Sequence, residues 1–198
     1  MRHRHTMGRA YFETLYKSNP DPWNFSTSEY EDQKYQATLQ ALPRTRYAKA
    51  IEVGCSIGVL TARLATRCES LDAVDLSPTA IEQARIACAA LDNVYFHVSA
   101  APNGLPEGAF DLIILSEVLY YLDARDLLAL AGWCRAHTNS SADIILCHWL
   151  GPTNYPLSGE TAARLFVSAL QPCLERHSIL HQQVYRLERI RLGSKEAQ

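Results

Sequence analysis

From about residue 50 onward, short apolar runs alternate with segments in which apolar residues recur every three or four positions. This alternation constrains the chain most, because strand and helix units repeated in that order bury their apolar faces by laying parallel strands in one sheet covered by helices. Five strands are predicted, at Ala50 to Val53, Ser70 to Val74, Val94 to Val98, Phe110 to Leu115 and Asp143 to Cys147. The expected fold class is α/β, a doubly wound, mostly parallel sheet. Ser77 ahead of Pro78 puts an N-cap before a proline at the first helical position, with Ile81, Ala84 and Cys88 on one face. Asp123 with Asp126 opens another helix, whose apolar face is Leu127, Leu130, Ala131 and Cys134.

The flanks differ from this core, and one domain is expected to divide into residues 1–47, 48–150 and 151–198. In the first, Ser28-Glu29-Tyr30-Glu31 reads as a capping box for a helix with Tyr35, Leu39 and Leu42 on its inner face, ended by Pro43. Ser18 to Phe25 is too rich in Pro and Asn for a helix and reads as an ordered loop. Residues 1–35 carry Tyr11, Phe12, Tyr16, Trp23, Phe25, Tyr30 and Tyr35, an aromatic density that suits an N-terminal helical lid; Trp23 and Tyr30 are the two expected to face a cleft. His3, Arg4 and His5 are expected to fray. After residue 150, Thr161 to Leu170 reads as a helix and Ile179 to Leu192 as one or two closing strands.

Composition removes several functions. Lys+Arg 19 against Asp+Glu 21 leaves no basic footprint for nucleic acid. No apolar run approaches the ~20 residues of a membrane span, and no apolar region follows the basic start, so a cytoplasmic protein is expected. The six cysteines never form C-x-x-C, which fits buried thiols in a reducing compartment and no metal site. His177 and His181 lie four apart on a strand-like segment without a completing acid or thiol, and read as surface residues.

The chemistry concentrates where the first strand ends. Gly54 and Gly58 allow a sharp turn and close approach of a ligand to the backbone, but Ser56 and Val59 stand where a dinucleotide fingerprint starting at Gly54 would place glycines. Asp75 ends the next strand, 75 − 54 = 21 residues beyond the first glycine, where a carboxylate can accept hydrogen bonds from both hydroxyls of a ribose. Together these imply a nucleoside site rather than a pyrophosphate cradle.

Glu52-Val53-Gly54-Cys55-Ser56-Ile57-Gly58, then Val74-Asp75-Leu76-Ser77, then Phe110 to Leu122 resemble the successive motifs of class I S-adenosylmethionine-dependent methyltransferases, in order, over residues 48–150. The resemblance implies a Rossmann-like sheet, S-adenosylmethionine as cofactor and S-adenosylhomocysteine as product. It implies that Gly54, Ser56 and Gly58 line the loop beside the methionine moiety, that Asp75 holds the ribose and that Leu76 packs on adenine. Glu52, Ser116, Trp23 and Tyr30 complete the implied cofactor contacts. Ser56 replaces the usual middle glycine, and Ser99-Ala100 replaces the usual acid after the third strand, leaving the adenine amino group to a backbone carbonyl or to Ser99.

A closer likeness, over nearly the whole chain, is to the nodulation N-methyltransferases. It rests on Asp21-Pro22-Trp23, Ser28 to Glu31, the motifs above and Cys147-His148-Trp149-Leu150-Gly151. That likeness implies, as acceptor, the free amine on the non-reducing terminal glucosamine of a deacetylated chitooligosaccharide. An amine acceptor must be neutral to attack, so residues at the carboxyl ends of the strands are candidates: Ser116, Glu117 and Tyr120 after the fourth, His148 after the fifth. Glu117 is expected at the amine or, alternatively, facing solvent or at the cofactor. His148 is expected to accept a proton near neutral pH or, alternatively, to pack. Tyr120 and Tyr121 adjoin on one helical turn, so at most one is expected to face the site. The core motifs leave open another small nucleophile, and a nicotinamide oxidoreductase or nucleoside-binding module is the reading from a different class.

Overall fold

A computed structural model describes residues 2–181 and 184–193. Its strands are β1 (Tyr47–Val53), β2 (Cys68–Asp75), β3 (Val94–Val98), β4 (Phe110–Ser116), β5 (Thr138–Trp149), β6 (Leu174–His181) and β7 (Tyr185–Leu192). They form one sheet in the order β3-β2-β1-β4-β5-β7-β6. The first five are parallel, and β7 and β6 close the sheet antiparallel. All five predicted strands are present. Most run longer than their apolar runs, because paired backbone continues through polar residues once a neighbouring strand is there.

The helices are α1 (Arg9–Ser18), α2 (Glu29–Gln40), α3 (Val59–Ala65), α4 (Pro78–Ala87), α5 (Ala124–Ala136) and α6 (Gly159–Leu170). Strand β4 explains the layering: Leu112 to Leu115 are fully buried, so both of its faces are covered. Ile113 and Leu115 pack with Leu130 of α5 and Phe166 of α6, whereas Leu112 and Ile114 pack with Leu60 and Leu64 of α3 and Tyr35 of α2. The strand order turns back between β1 and β4, where their carboxyl ends part and open a crevice.

Local signals account for most helix starts. The Ser77 hydroxyl accepts the Ala80 N–H at 3.2 Å and the Asp123 carboxylate accepts the Asp126 N–H at 3.1 Å. The expected capping box at Ser28 is only half formed. Ser28 Oγ accepts the Glu31 N–H, but the Ser28 N–H goes to the Asn24 carbonyl and the Glu31 side chain turns to Lys34. The buried face of α2 is accordingly Glu31, Lys34, Tyr35 and Thr38, with Leu39 only half-buried.

The N-terminus corrects one expectation and completes another. Helix α1 is a second member of the expected N-terminal helices, but its start is not marked by a capping side chain or an acid in its first turn, its N-cap being Gly8. Residues 3–7 are not frayed: the His3 N–H donates to the Asn154 carbonyl, the Met7 N–H to the Tyr121 carbonyl, and Thr6 bonds Asp123 and Asp126. At the other end, His177 is not a plain surface residue. Its ring pairs with the fully buried Glu188 of β7, which Arg186 also holds. The His181 side chain lies outside the described residues. No described helix is long and apolar enough to cross a membrane.

Gly58 shows what the glycine turn demands of the packing. Its φ is +85°, and a Cβ there would stand 3.0 Å from Ala84 Cα of α4. Gly58→Ala combines a left-handed backbone with a clash against a helix, and is expected to lower unfolding free energy by about 2–4 kcal/mol, read from urea denaturation midpoints.

Candidate functional site

Where β1 ends, three of five residues take left-handed backbone: Gly54 at φ +82°, Ser56 at φ 52° and Gly58. The first is a close approach, since a Cβ on Gly54 would sit 3.3 Å from Val118 Cγ2. Ser56 holds this conformation despite its side chain because it is fixed from both sides. Its N–H donates to Asp75 Oδ2 at 2.9 Å, and its Oγ accepts the Tyr16 hydroxyl at 2.6 Å. Asp75 Oδ1 accepts the Ser77 N–H at 2.8 Å. Burial raises the Asp75 pKa and these backbone donors oppose the rise.

Above this turn lies a cavity of about 870 Å3, within the range of small-molecule sites. Its floor includes Glu52, Gly54, Ser56, Asp75, Leu76 and Ser116, and its flank includes Ser99 and Ala100. Trp23 and Tyr30 line it, as do Glu117 and Tyr120. Two residues expected at the site do not line it. Gly58 spends its missing Cβ on contact with α4. His148 is fully buried behind Tyr120, with ring centroids 5.6 Å apart, and its Nε2 accepts the Leu119 N–H at 3.1 Å. Burial lowers its pKa to about 4, so it is neutral at neutral pH and its accepting nitrogen is already used. The proton-acceptor role expected for His148 therefore has no geometric support.

Glu117 is the most connected side chain of the wall. It sits at φ 58°, its N–H held by the Cys147 carbonyl. Its Oε1 accepts Lys34 Nζ at 2.7 Å; its Oε2 accepts the Tyr120 hydroxyl at 2.8 Å and the Trp149 N–H at 2.9 Å. Lys34 is buried, and Glu31 lies on its other side with both carboxylate oxygens 2.8–2.9 Å from Nζ. Burial alone would lower the Lys34 pKa, but the Glu117 and Glu31 charges outweigh it and raise it. Glu31 moves up, chiefly through burial and against the pull of Lys34.

Aromatic side chains make the roof, more of them than expected. Tyr16 packs edge-on to Trp23, which stacks on Phe25 at 5.5 Å, and Phe12 and Tyr35 also line the cavity. Across from them Tyr120 stacks on Tyr155 at 5.4 Å and 9°, and Tyr30 meets Trp149 edge-on. Both Tyr120 and Tyr121 line the wall, contrary to the expectation of at most one: their turn is 3-10 rather than α-helical and faces the crevice broadside. The roof is fastened by Glu13 of α1, whose carboxylate accepts the Ser77 and Thr79 hydroxyls, each at 2.6 Å. These bonds, Ser77 first, hold its pKa down at about 2. The Ser99 hydroxyl is occupied by the Gly104 carbonyl, so it reaches the cavity as an acceptor.

Residues 14–138 match the family model of Nodulation protein S (NodS). Nodulation protein S of Bradyrhizobium diazoefficiens is 32% identical over 169 residues, 79% of this chain and 78% of that protein. The chain belongs to the NodS family. Among solved structures, the N-methyltransferase NodS of Bradyrhizobium japonicum in complex with S-adenosyl-L-homocysteine superposes with a TM-score of 0.81 at 20% identity, covering 94% of this chain and 99% of that one. A putative methyltransferase from Pseudomonas syringae superposes with a TM-score of 0.72 at 34% identity, covering 83% and 99%. The fold of this family member is thus the Rossmann-like methyltransferase fold.

Sequence reasoning missed Lys34 and Tyr155, named Tyr16 only among the lid aromatics without turning it to the cleft, and left Glu31 as a capping residue. Only the three-residue spacing of Glu31 and Lys34 hinted at an ion pair, and nothing local signalled that it would be buried. Glu52 offers a test of the electrostatics. It is 2% exposed, its Oε2 accepts only the Thr61 hydroxyl at 2.6 Å, and burial pushes its pKa up to about 7. The native state therefore holds a proton that the unfolded chain releases between about pH 4.5 and 7, and stability falls as pH rises through that window. Glu52→Gln removes this loss, so the variant's stability relative to wild type is expected to rise by about 2–3 kcal/mol between pH 4.5 and 8, measured by urea denaturation.

Proposed function

We propose that the chain is an S-adenosylmethionine-dependent N-methyltransferase acting on the free amine of the non-reducing terminal glucosamine of a deacetylated chitooligosaccharide. The observation that carries this reading, beside membership of the family, is one cavity that joins the Gly54–Asp75 turn to an anionic, tyrosine-lined wall. Its volume lies near the upper end for small-molecule sites, which suits a nucleoside cofactor with an acceptor beside it.

The residues suit the cofactor. A carboxylate has about four acceptor positions, and Asp75 spends two on backbone N–H groups, leaving two for vicinal hydroxyls. Leu76 gives an apolar face next to it, and the Gly54 backbone lies bare toward the cavity. When bound, S-adenosylmethionine supplies an electrophilic methyl group: an amine lone pair forms the new C–N bond and the C–S electron pair stays on sulfur.

The chain's own part is positioning and exclusion of water. Tyr155, half-buried and backed by the stacked ring of buried Tyr120, lines the cavity with an aromatic side chain of the kind that covers the apolar side of a sugar ring. Glu31, Lys34 and Glu117 sum to one negative charge on the cavity wall, which attracts an amine and a sulfonium alike. The described cysteines are all free and five are buried, consistent with work in the reducing cytoplasm.

Transfer of label from methyl-tritiated S-adenosylmethionine to two matched chitooligosaccharides tests the reading. Label is expected on the oligomer with a free terminal amine and not on the fully acetylated one. Equal labelling of both, or of neither, overturns it.

A further inference from the structure

At neutral pH an amino sugar is largely its ammonium, which has no lone pair to attack with. The site must admit the free amine or take that proton, and its wall holds a group placed to take it. Resting on the N-methylation reading above, we infer that Glu31 is the base: it lines the cavity and receives the proton of the acceptor's ammonium.

The geometry selects Glu31 by what surrounds each alternative. Glu117 has both oxygens engaged, one by Lys34 and the other by the Tyr120 hydroxyl and the Trp149 amide. Protonating it would strip a bond from a buried donor. His148 lies behind the wall with Nε2 used. Lys34 is already an ammonium gripped by two carboxylates. Glu31 Oε2, by contrast, is buried and has no well-directed hydrogen bond, although Nζ lies 2.8 Å away. Next to it the Tyr30 hydroxyl is also buried without a partner, and Thr153 Oγ1 is a third such atom in a residue of the same cavity. Buried polar atoms left unpaired are costly, and the Tyr30 and Thr153 hydroxyls, with a Glu31 oxygen whose one near neighbour is the Lys34 charge, are what a site built for a polar, hydrogen-bonding acceptor shows.

The step is a simple exchange. An N–H bond of the ammonium breaks, its electron pair stays on nitrogen as the lone pair, and the proton joins a Glu31 oxygen to give the carboxylic acid. No charge is created: an ammonium and a carboxylate become an amine and an acid. The groups facing Glu31 are Lys34, Tyr30 and Tyr35 of α2, Asp21 of the preceding loop, Glu117 after β4 and Cys147 of β5. Burial favours the acid form, and Glu117 and Asp21 add to it; only the Lys34 charge opposes. The net effect raises the Glu31 pKa above the ordinary carboxylate range, the direction that a proton acceptor needs.

Glu31→Gln keeps the shape and removes the base. Its kcat/KM for the free-amine oligomer is expected to fall about 100-fold near neutral pH and to approach wild type at about pH 9–10, where the acceptor arrives as free amine. Binding of S-adenosylhomocysteine, read by calorimetry, is expected to stay within about twofold. Glu31→Asp keeps the charge on a shorter arm, and is expected to retain the wild-type pH profile at reduced kcat. The inference is overturned by a deficit equal at every pH, by no deficit at all, or by lost S-adenosylhomocysteine binding, which would make Glu31 part of the cofactor site. A wild type that labels no free-amine oligomer overturns the N-methylation reading itself, and this inference with it.

Discussion

The contact between Lys34 and Glu117 joins the two halves of the cavity, and much of the site depends on it. One partner belongs to α2, part of the N-terminal flank, and the other to the turn that leaves β4 at the centre of the sheet. Removing either partner of such a buried pair strands a charge away from water, typically at about 3–5 kcal/mol. Glu117 also carries the Tyr120 hydroxyl and the Trp149 amide, so the same carboxylate orders the 3-10 turn after β4 and the end of β5. Its left-handed backbone is the local cost of aiming one side chain at three elements.

The pattern of strands was legible because the central ones are buried on both faces, and a doubly buried strand reads as an unbroken apolar run such as Leu112 to Leu115. Ser77 and Asp123 were legible for a different reason: a capping side chain acts on its own neighbours, so its signal is local. Helix α1 lacked both kinds of signal. Its start has no capping side chain, and its aromatics pack against a roof and a turn assembled from distant parts of the chain.

Within the site, residues failed to be legible wherever facing decided the outcome. Gly54 and Gly58 look alike in sequence and both take positive φ, yet one bares its backbone to the cavity and the other admits Ala84. His148 was expected just after its strand, but β5 runs on to Trp149. Side chains alternate along a strand: Leu146 packs on the α5 and α6 side, Cys147 on the other, and His148 returns to the first. Two more residues of backbone pairing thus turn a candidate base into a packed ring. Lys34 needed the tertiary fold outright, since a lysine on a polar helix gives no sign that two carboxylates will bury it.

The tethering of residues 3–13 bears on how the chain is made. Their partners are Ser77 and Thr79, then Tyr121, Asp123 and Asp126, and finally Asn154 and Tyr155. A ribosome releases the N-terminal segment first, yet its last anchor emerges roughly 150 residues later, at synthesis speeds of about 5–20 residues per second. Phe12, Tyr16 and Trp23 pack with Ile57, Val59 and Ala80, so their surface belongs to the turn after β1 and the start of α4 and precedes that last anchor by more than 70 residues. The binding cavity is therefore closed by contacts that reach from residue 3 to residue 155, and it is complete only when all of those segments are in place together.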